Sequence, residues 1–512
     1  MLQAEPSARR IARNTLMLYL RTLLSVVVGL YASRVVLRTL GVDDYGVLGL
    51  VGGIVSMLGF LNSSMAGATS RFITYDLGLG DPDQMKQTFN AAFQSHLIIA
   101  FIIVLLAETI GLWFINHQLE IPQKRYFAAN CIYQLSIFSA FIGVTQAPYT
   151  AMILAHERMD VYARLEILNV ALKLVIVWLL QLTTCDRLIF YAFLVFAVSL
   201  IVRGIYRIYC HRFFPESHLS FSWQPQTLRK MLSFTGWNLY YDASETIRLQ
   251  GVNILINRFF GVVLNASFGL ASMIQGTCWV LGNNITAAFR PQIIKQYAAN
   301  HFSFMQQLMN QALKFTLVIV SLFYIPAIVE MPYLICLWLG YIPPFLVVFC
   351  RIYLLDTIIG LINLIFQIGI QAQGDIRFIS VISGTLKFLC LPVIYFLFLN
   401  SFSPAWAYWC NLFSLVLIVL ADVYVLKKNL AQIQIKSLLS TCLVSFLIIA
   451  LSSFFYVIFR ATLPLGVPYK LLSVLLFVAL CSFLSYCFLL DSAEKRGFRI
   501  YIAEKIRNFK VA

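Results

Sequence analysis

LMLYLRTLLSVVVGLYASRVVL, residues 16–37, decides what kind of protein this is. A helix needs roughly 20 residues to cross a hydrocarbon core of about 30 Å. This stretch is long enough, and its only charges are Arg21 and Arg34. Near the other end LLSVLLFVALCSFLSYCFLL, residues 471–490, repeats the pattern. Working outward, fourteen such runs fill the chain, near 14–40, 45–70, 88–115, 127–154, 161–182, 187–210, 228–258, 262–289, 306–331, 343–371, 376–399, 404–427, 436–459 and 469–490. The composition agrees: 60% hydrophobic, 12% charged and a mean hydropathy of +0.81 exclude a soluble domain of 512 residues. Inside a bilayer the backbone must satisfy its own polar groups, which leaves helices or closed barrels, and these runs are too long for barrel strands. The expectation is an all-α polytopic membrane protein with about 14 transmembrane helices, arranged as two pseudo-symmetric six-helix bundles plus two C-terminal helices.

Lys and Arg set the orientation. With the N-terminus inside, the inner segments collect Arg9, Arg10, Arg13, Arg71, Arg158, Arg290, Lys427 and Lys428, among others, while the outer ones hold few, such as Lys124, Arg125 and Arg187. Both termini are therefore expected in the cytoplasm, and the net charge of +16 reads as a topology signal, with no nucleic acid implied. The first apolar run is too long for a cleaved signal and is expected to be retained. The basic tail, EKRGFRIYIAEKIRNFK (494–510), suits an interfacial helix or a solvated end. The 11 cysteines are scattered singly and read as packing residues; no metal spacing is present.

The longest polar break among the first twelve runs is FFPESHLSFSWQPQT, residues 213–227, and the sequence echoes itself across it. Residues 37–72, LRTLGVDDYGVLGLVGGIVSMLGFLNSSMAGATSRF, match 256–291, INRFFGVVLNASFGLASMIQGTCWVLGNNITAAFRP, in their order of loop glycine, small-residue helix, Asn and terminal Arg. Setting Gly41 against Gly261 brings Asn62 opposite Asn283 and Arg71 opposite Arg290, each within one residue. The organisation expected is an N-terminal bundle (1–212), a cytoplasmic linker (213–227), a C-terminal bundle (228–428), two added helices (429–490) and a tail (491–512). Parallel repeats of this kind recur in secondary transporters, with substrate handled between the halves.

Charges inside a bilayer cost about 2.5–3.5 kcal/mol each on insertion scales and need a partner or a wet cavity. Run seven, GWNLYYDASETIRLQGVNILIN (236–257), places Asn238, Asp242, Glu245 and Arg248 at spacings of four, three and three, with Tyr241 beside them. One reading is a cavity face on which Arg248 meets an anion and aromatics stack on sugars. The plainer one is a local Glu245–Arg248 ion pair. In run ten Asp356, Asn363, Gln367 and Gln371 form a second stripe, suited either to sugar hydroxyls or to helix–helix hydrogen bonds. Arg21 and Arg34 snorkel or face an anion; Arg71 and Arg290 anchor the inner surface or touch substrate. Lys173, Arg203, Lys314, Arg351 and Lys387 stand out less, and Glu108 has no partner at helical spacing. No Walker A cradle, HExxH, GxSxG or EF-hand occurs, so neither a cofactor nor a catalytic group is expected. Asp43 and Asp44 read as turn or cap residues.

Residues 12–81, ARNTLMLYLRTLLSVVVGLYASRVVLRTLGVDDYGVLGLVGGIVSMLGFLNSSMAGATSRFITYDLGLGD, resemble the opening of bacterial polysaccharide (O-antigen) flippases, in the multidrug/oligosaccharidyl-lipid/polysaccharide exporter superfamily. The resemblance implies two six-helix bundles around a central cavity. It also implies movement of undecaprenyl-diphosphate-linked oligosaccharide from the inner to the outer leaflet of the bacterial inner membrane, for O-antigen, capsule or exopolysaccharide synthesis. Basic residues then meet the diphosphate, a role for which Arg21, Arg34 and Arg248 are the nearest matches. A polysaccharide polymerase or glycosyltransferases would be partners. The alternatives are a drug or metabolite exporter of the same superfamily and, in another class, a membrane glycosyltransferase or sugar polymerase, which the lack of a long outer loop opposes.

Overall fold

The computed structural model describes residues 4–41, isolated positions from 44 to 55, 59–117, 123–183, 186–220, 225–430, 432–462, 466–492 and 494–496. Among these residues the regular structure is helical throughout and no strand occurs. The helices are α1 (Ala4–Leu40), α2 (Gly59–Leu79), α3 (Pro82–Asn116), α4 (Tyr126–Ala155), α5 (Met159–Leu182), α6 (Arg187–Phe213), α7 (Pro225–Ala298), α8 (Phe302–Val329), α9 (Met331–Leu339), α10 (Leu346–Gln373), α11 (Arg377–Leu399), α12 (Trp406–Asn429), α13 (Ile435–Thr462) and α14 (Pro468–Leu489). Among the described residues ten helices are long and apolar enough to cross a membrane: α3 to α6, α8 and α10 to α14. The chain is a multi-pass membrane protein. α2 and α7 fall outside that set, and they pack against each other. The tail expected to lie on the membrane falls beyond the described residues after Arg496.

Runs seven and eight are the two limbs of α7, parted at Gly261 (φ 80°, ψ −179°). Gly41, which ends α1, has φ 83°. A side chain at such a φ meets the backbone, so both junctions favour glycine. The two loop glycines matched from sequence thus share a left-handed conformation. Asp81 and Asp186 cap α3 and α6, each accepting two backbone N–H bonds in the first turn. Asp44 corrects the sequence expectation: it pairs with Arg125 at 2.5 Å, and Arg125 also holds Asp186 at 2.6 Å. Asp43 lies outside the described residues.

Burial sorts the helices. In α10, 72% of the crossing segment is buried inside the protein, against 17% in α5 and α6, so α10 is a central post and those two are walls. The largest core joins α7, α8, α10, α11 and α12. Smaller cores join α2, α4 and α6 near one end of the bundle and α3, α4 and α6 near the other. α13 and α14 pack on α8 through Tyr456, Phe477 and Cys481. They are also pinned to it at both ends. Lys314 bonds Asp491 (2.8 Å) and Glu494 (3.2 Å), while Glu330 receives Arg460 (2.6 Å) and Lys470 (3.6 Å). The other side of α13 exposes Leu443, Leu447, Phe454 and Val457, the surface a helix offers to lipid.

Candidate functional site

The polar residues of α7 are where the two halves meet. At 100° per residue, spacings of four, three and three leave Asp242 and Arg248 roughly 120° apart around the helix. The structure follows that drift. Asp242 turns toward the first half and accepts a hydrogen bond from Ser64 of α2 at 2.5 Å. Asn238 approaches Gly67 of the same helix, where a side chain would begin to touch its amide. Arg248 turns the other way, into the second half, and its side chain is only 6% exposed.

There the plainer sequence reading holds. Glu245 receives Arg248 through two hydrogen bonds of 2.5 and 3.1 Å. It also receives Lys387 of α11 at 3.0 Å. The Lys387 ammonium sits 3.7 Å from the centre of the Tyr241 ring, a cation–π contact that substitutes for part of its lost hydration. In this conformation Arg248 is bound by the Glu245 carboxylate. Its charge is satisfied locally, and the more open partner is Glu245, with a third of its side chain exposed. Lys387 completes the group from another helix, so no spacing along α7 pointed to it.

The stripe of α10 points at α12. Asp356 accepts a hydrogen bond from Asn411 at 2.7 Å, and Asn363 donates to Asp422. Asp356, Asn363 and Asp422 are all buried. These pairs tie two helices together, the structural role of intramembrane amides, while Gln367 is half-buried on the same stripe. Asp356 also lies within electrostatic reach of Arg248, Glu245 and Lys387. Asn411 and Asp422 escaped the sequence reading because single polar residues in an apolar run carry no pattern.

The remaining polar contacts between the halves gather toward one end. Arg71 of α2 donates to the backbone oxygens of Gln371 (3.0 Å) and Ala372 (2.8 Å). It thus caps the C-terminus of α10, where a cation suits the helix dipole. Its guanidinium lies over Phe72 and Tyr75, each 4.7 Å away. Glu157, in the turn between α4 and α5, is buried and bonds Gln292 (2.5 Å) and Lys295 (2.7 Å) of α7. Gly78 abuts Lys295 and Ala298 so closely that a Cβ would lie 2.8 Å from Ala298. Tyr19 donates to the Leu281 carbonyl (2.7 Å) and Asn284 to Thr22 (2.9 Å). These contacts form a clasp between residues 4–220 and 225–430 at one end of the bundle.

Two of the expected cations meet no carboxylate among the described residues. Arg21 donates to the Tyr162 hydroxyl at 2.7 Å and lies over that ring, with its buried Nε unpartnered. Arg290 is half-buried and makes no hydrogen bond or ion pair with a described residue. The Arg34 side chain falls outside the described residues.

No protein-family model and no curated protein matches this chain. Solved structures do. The chain is similar to a MATE protein in the straight conformation, at 14% identity and a TM-score of 0.71, over 85% of this chain and 97% of that one. It is also similar to a multidrug resistance MATE family transporter of the MOP superfamily in an outward-facing conformation (15% identity, TM-score 0.68, 86% and 98%). A mutant of the Vibrio cholerae MATE transporter VcmN gives 17% identity and a TM-score of 0.66 over 85% and 99%. At these identities the likeness is one of fold, and it agrees with the all-α polytopic architecture expected.

Proposed function

We propose that this chain is an alternating-access transporter that moves a polyprenyl-diphosphate-linked oligosaccharide between the leaflets of the bacterial inner membrane, with both termini cytoplasmic. The observation that carries the anionic substrate is the pair Arg21, in run one, and Arg290, at the inner end of run eight, guanidinium groups with no carboxylate partner among the described residues. An unpaired buried charge is costly, and a diphosphate matches the fork of an Arg guanidinium. The clasp at the Arg71 and Glu157 end supports a carrier that exposes its centre to one side at a time. The headgroup otherwise loses hydration from every phosphate and hydroxyl as it crosses. Polar side chains between the halves, Asn238, Tyr241 and Asp242, replace that water for the sugars.

A second reading is export of a cationic drug or metabolite. The likeness to multidrug transporters favours it when fold alone is weighed, and so does the exposed part of Glu245 beside Tyr241.

Proteoliposomes separate the two. A short-chain, fluorescent polyprenyl-diphosphate oligosaccharide and ethidium are supplied in parallel to wild type, Arg21→Ala, Arg290→Ala and Glu245→Gln. Loss of a charge-assisted contact to phosphate is expected to weaken glycan-lipid transport by about 10–100-fold in each Arg variant, with ethidium not moved. Ethidium efflux that survives both Arg changes and is lost in Glu245→Gln would establish the exporter instead.

A further inference from the structure

Glu108, an intramembrane carboxylate with no partner along its own helix, has a place in the folded chain. Residues 107–111 of α3 form a single π-helical turn, a feature often found at functional positions. The buried Tyr133 hydroxyl of α4 donates to the Ala107 carbonyl at 2.6 Å. At the next position on each helix, Gln134 of α4 donates to Glu108 Oε2 at 3.2 Å. No cation pairs with Glu108 among the described residues. An ionisable group at this depth without a counter-charge is a default sign of a functional position.

Gln134 also lines a crevice of about 850 Å³ between α3, α4 and α6, at the end of the bundle away from the clasp. Its polar lining is Asn116, Asn130, Gln134 and Asp186, and its ring faces come from Phe127, Phe190 and Phe193. Asp186 is already held by Arg125 and by the first turn of α6. Among the described residues no Lys or Arg lines the crevice, and Arg125 beside it is taken up by Asp186 and Asp44. Leu135 lines this crevice and also a second cavity of about 330 Å³ that reaches Asn62 of α2 and Tyr191 of α6.

We infer that the crevice is a subsite for the neutral, hydroxyl-bearing sugar of a glycolipid headgroup. Amide groups and a carboxylate accept hydroxyl protons, amides also donate, and flat ring faces cover the apolar faces of a sugar. The lining carboxylate, Asp186, disfavours a bare phosphate. The volume lies in the range that holds a small ligand, and the position lets an acyl chain stay in lipid while the headgroup enters from the side. The inference rests on the transport reading for the natural glycan, not for binding itself.

The test is lipid retention. Wild type, Gln134→Leu, Asn130→Leu and Phe193→Ala are reconstituted in nanodiscs containing monoglucosyl diacylglycerol and phosphatidylglycerol with the same acyl chains. Native mass spectrometry then counts the lipids kept after stripping. Wild type is expected to retain the glucolipid over phosphatidylglycerol, and each variant to lose about fivefold of that preference, the size of one or two neutral hydrogen bonds or a ring contact. Equal retention of both lipids by wild type, or a preference untouched in all folded variants, would overturn the inference and leave an acyl-chain crevice. Phe193→Ala removes an exposed ring and guards against misfolding of the amide variants. Retention needs no transport, so a chain that moves no lipid-linked glycan can still pass, and one that does can fail.

Discussion

Arg248, Glu245 and Lys387 show how a residue's role changes once its neighbours are known. Along α7 only Glu245 and Arg248 are adjacent, and their i,i+3 spacing equally permits a pair or a shared cavity face. Lys387 reaches the same carboxylate from α11. Removing Glu245 therefore strands two buried cations, whereas removing one cation leaves a pair. Glu245→Ala is expected to lower stability by about 3–5 kcal/mol, the cost of breaking a buried pair. The double variant Glu245→Gln with Lys387→Met, which removes one charge of each sign, is expected to be markedly milder. Thermal unfolding in detergent checks both; equal losses would mean that Lys387 is indifferent to Glu245. The α10 stripe teaches the same lesson. Period and spacing assigned Asp356 and Asn363 to one face, but only the packing of α12 revealed which neighbour that face meets.

At the scale of elements, helix positions were legible and helix attachments were not. Apolar length marks a crossing segment directly, so the runs near 306–331, 376–399 and 436–459 return as α8, α11 and α13. Gly41 and Gly261 were legible as matched junctions because a left-handed turn leaves a compositional trace. How α13 and α14 attach was not, since Lys314 and Glu330 lie more than 100 residues from their partners. Truncation after Leu430 leaves both charges buried without a partner, Lys314 being only 7% exposed. The truncated chain is expected to unfold and aggregate at lower temperature than wild type, by roughly 3–5 kcal/mol for each stranded charge. Adding Lys314→Met and Glu330→Gln should recover most of the loss. No recovery would show that apolar packing alone fastens these helices.

For the whole molecule, the decisive feature is the clasp at one end. Glu157 holds Gln292 and Lys295 across the halves, and a neutral amide in its place keeps the shape but loses the charge. Glu157→Gln is expected to shift the balance toward the opposite-facing state roughly tenfold, the effect of about 1.4 kcal/mol between two states. Spin labels on cysteines replacing Asp83 and His301, both exposed at the clasped end, would report a longer distance population in the variant. Labels replacing Lys124 and Tyr341 at the other end would report a shorter one. Unchanged distances at both ends would mean that the clasp is static.

The sequence by itself determined that the chain is a helical membrane protein, where ten of its crossing segments lie and that the chain turns at Gly41 and Gly261. Bilayer thickness, backbone hydrogen bonding and left-handed turns are local demands that each segment answers alone. Tertiary structure alone decided which intramembrane charges are neutralised, as at Glu245 and Glu330, and which meet no carboxylate among the described residues, as at Arg21 and Arg290. It also decided that Glu108 accepts from Gln134, a residue that lines an open crevice. Electrostatic pairing in lipid acts over a few ångströms of space, and the residues it joins are separated by any length of chain.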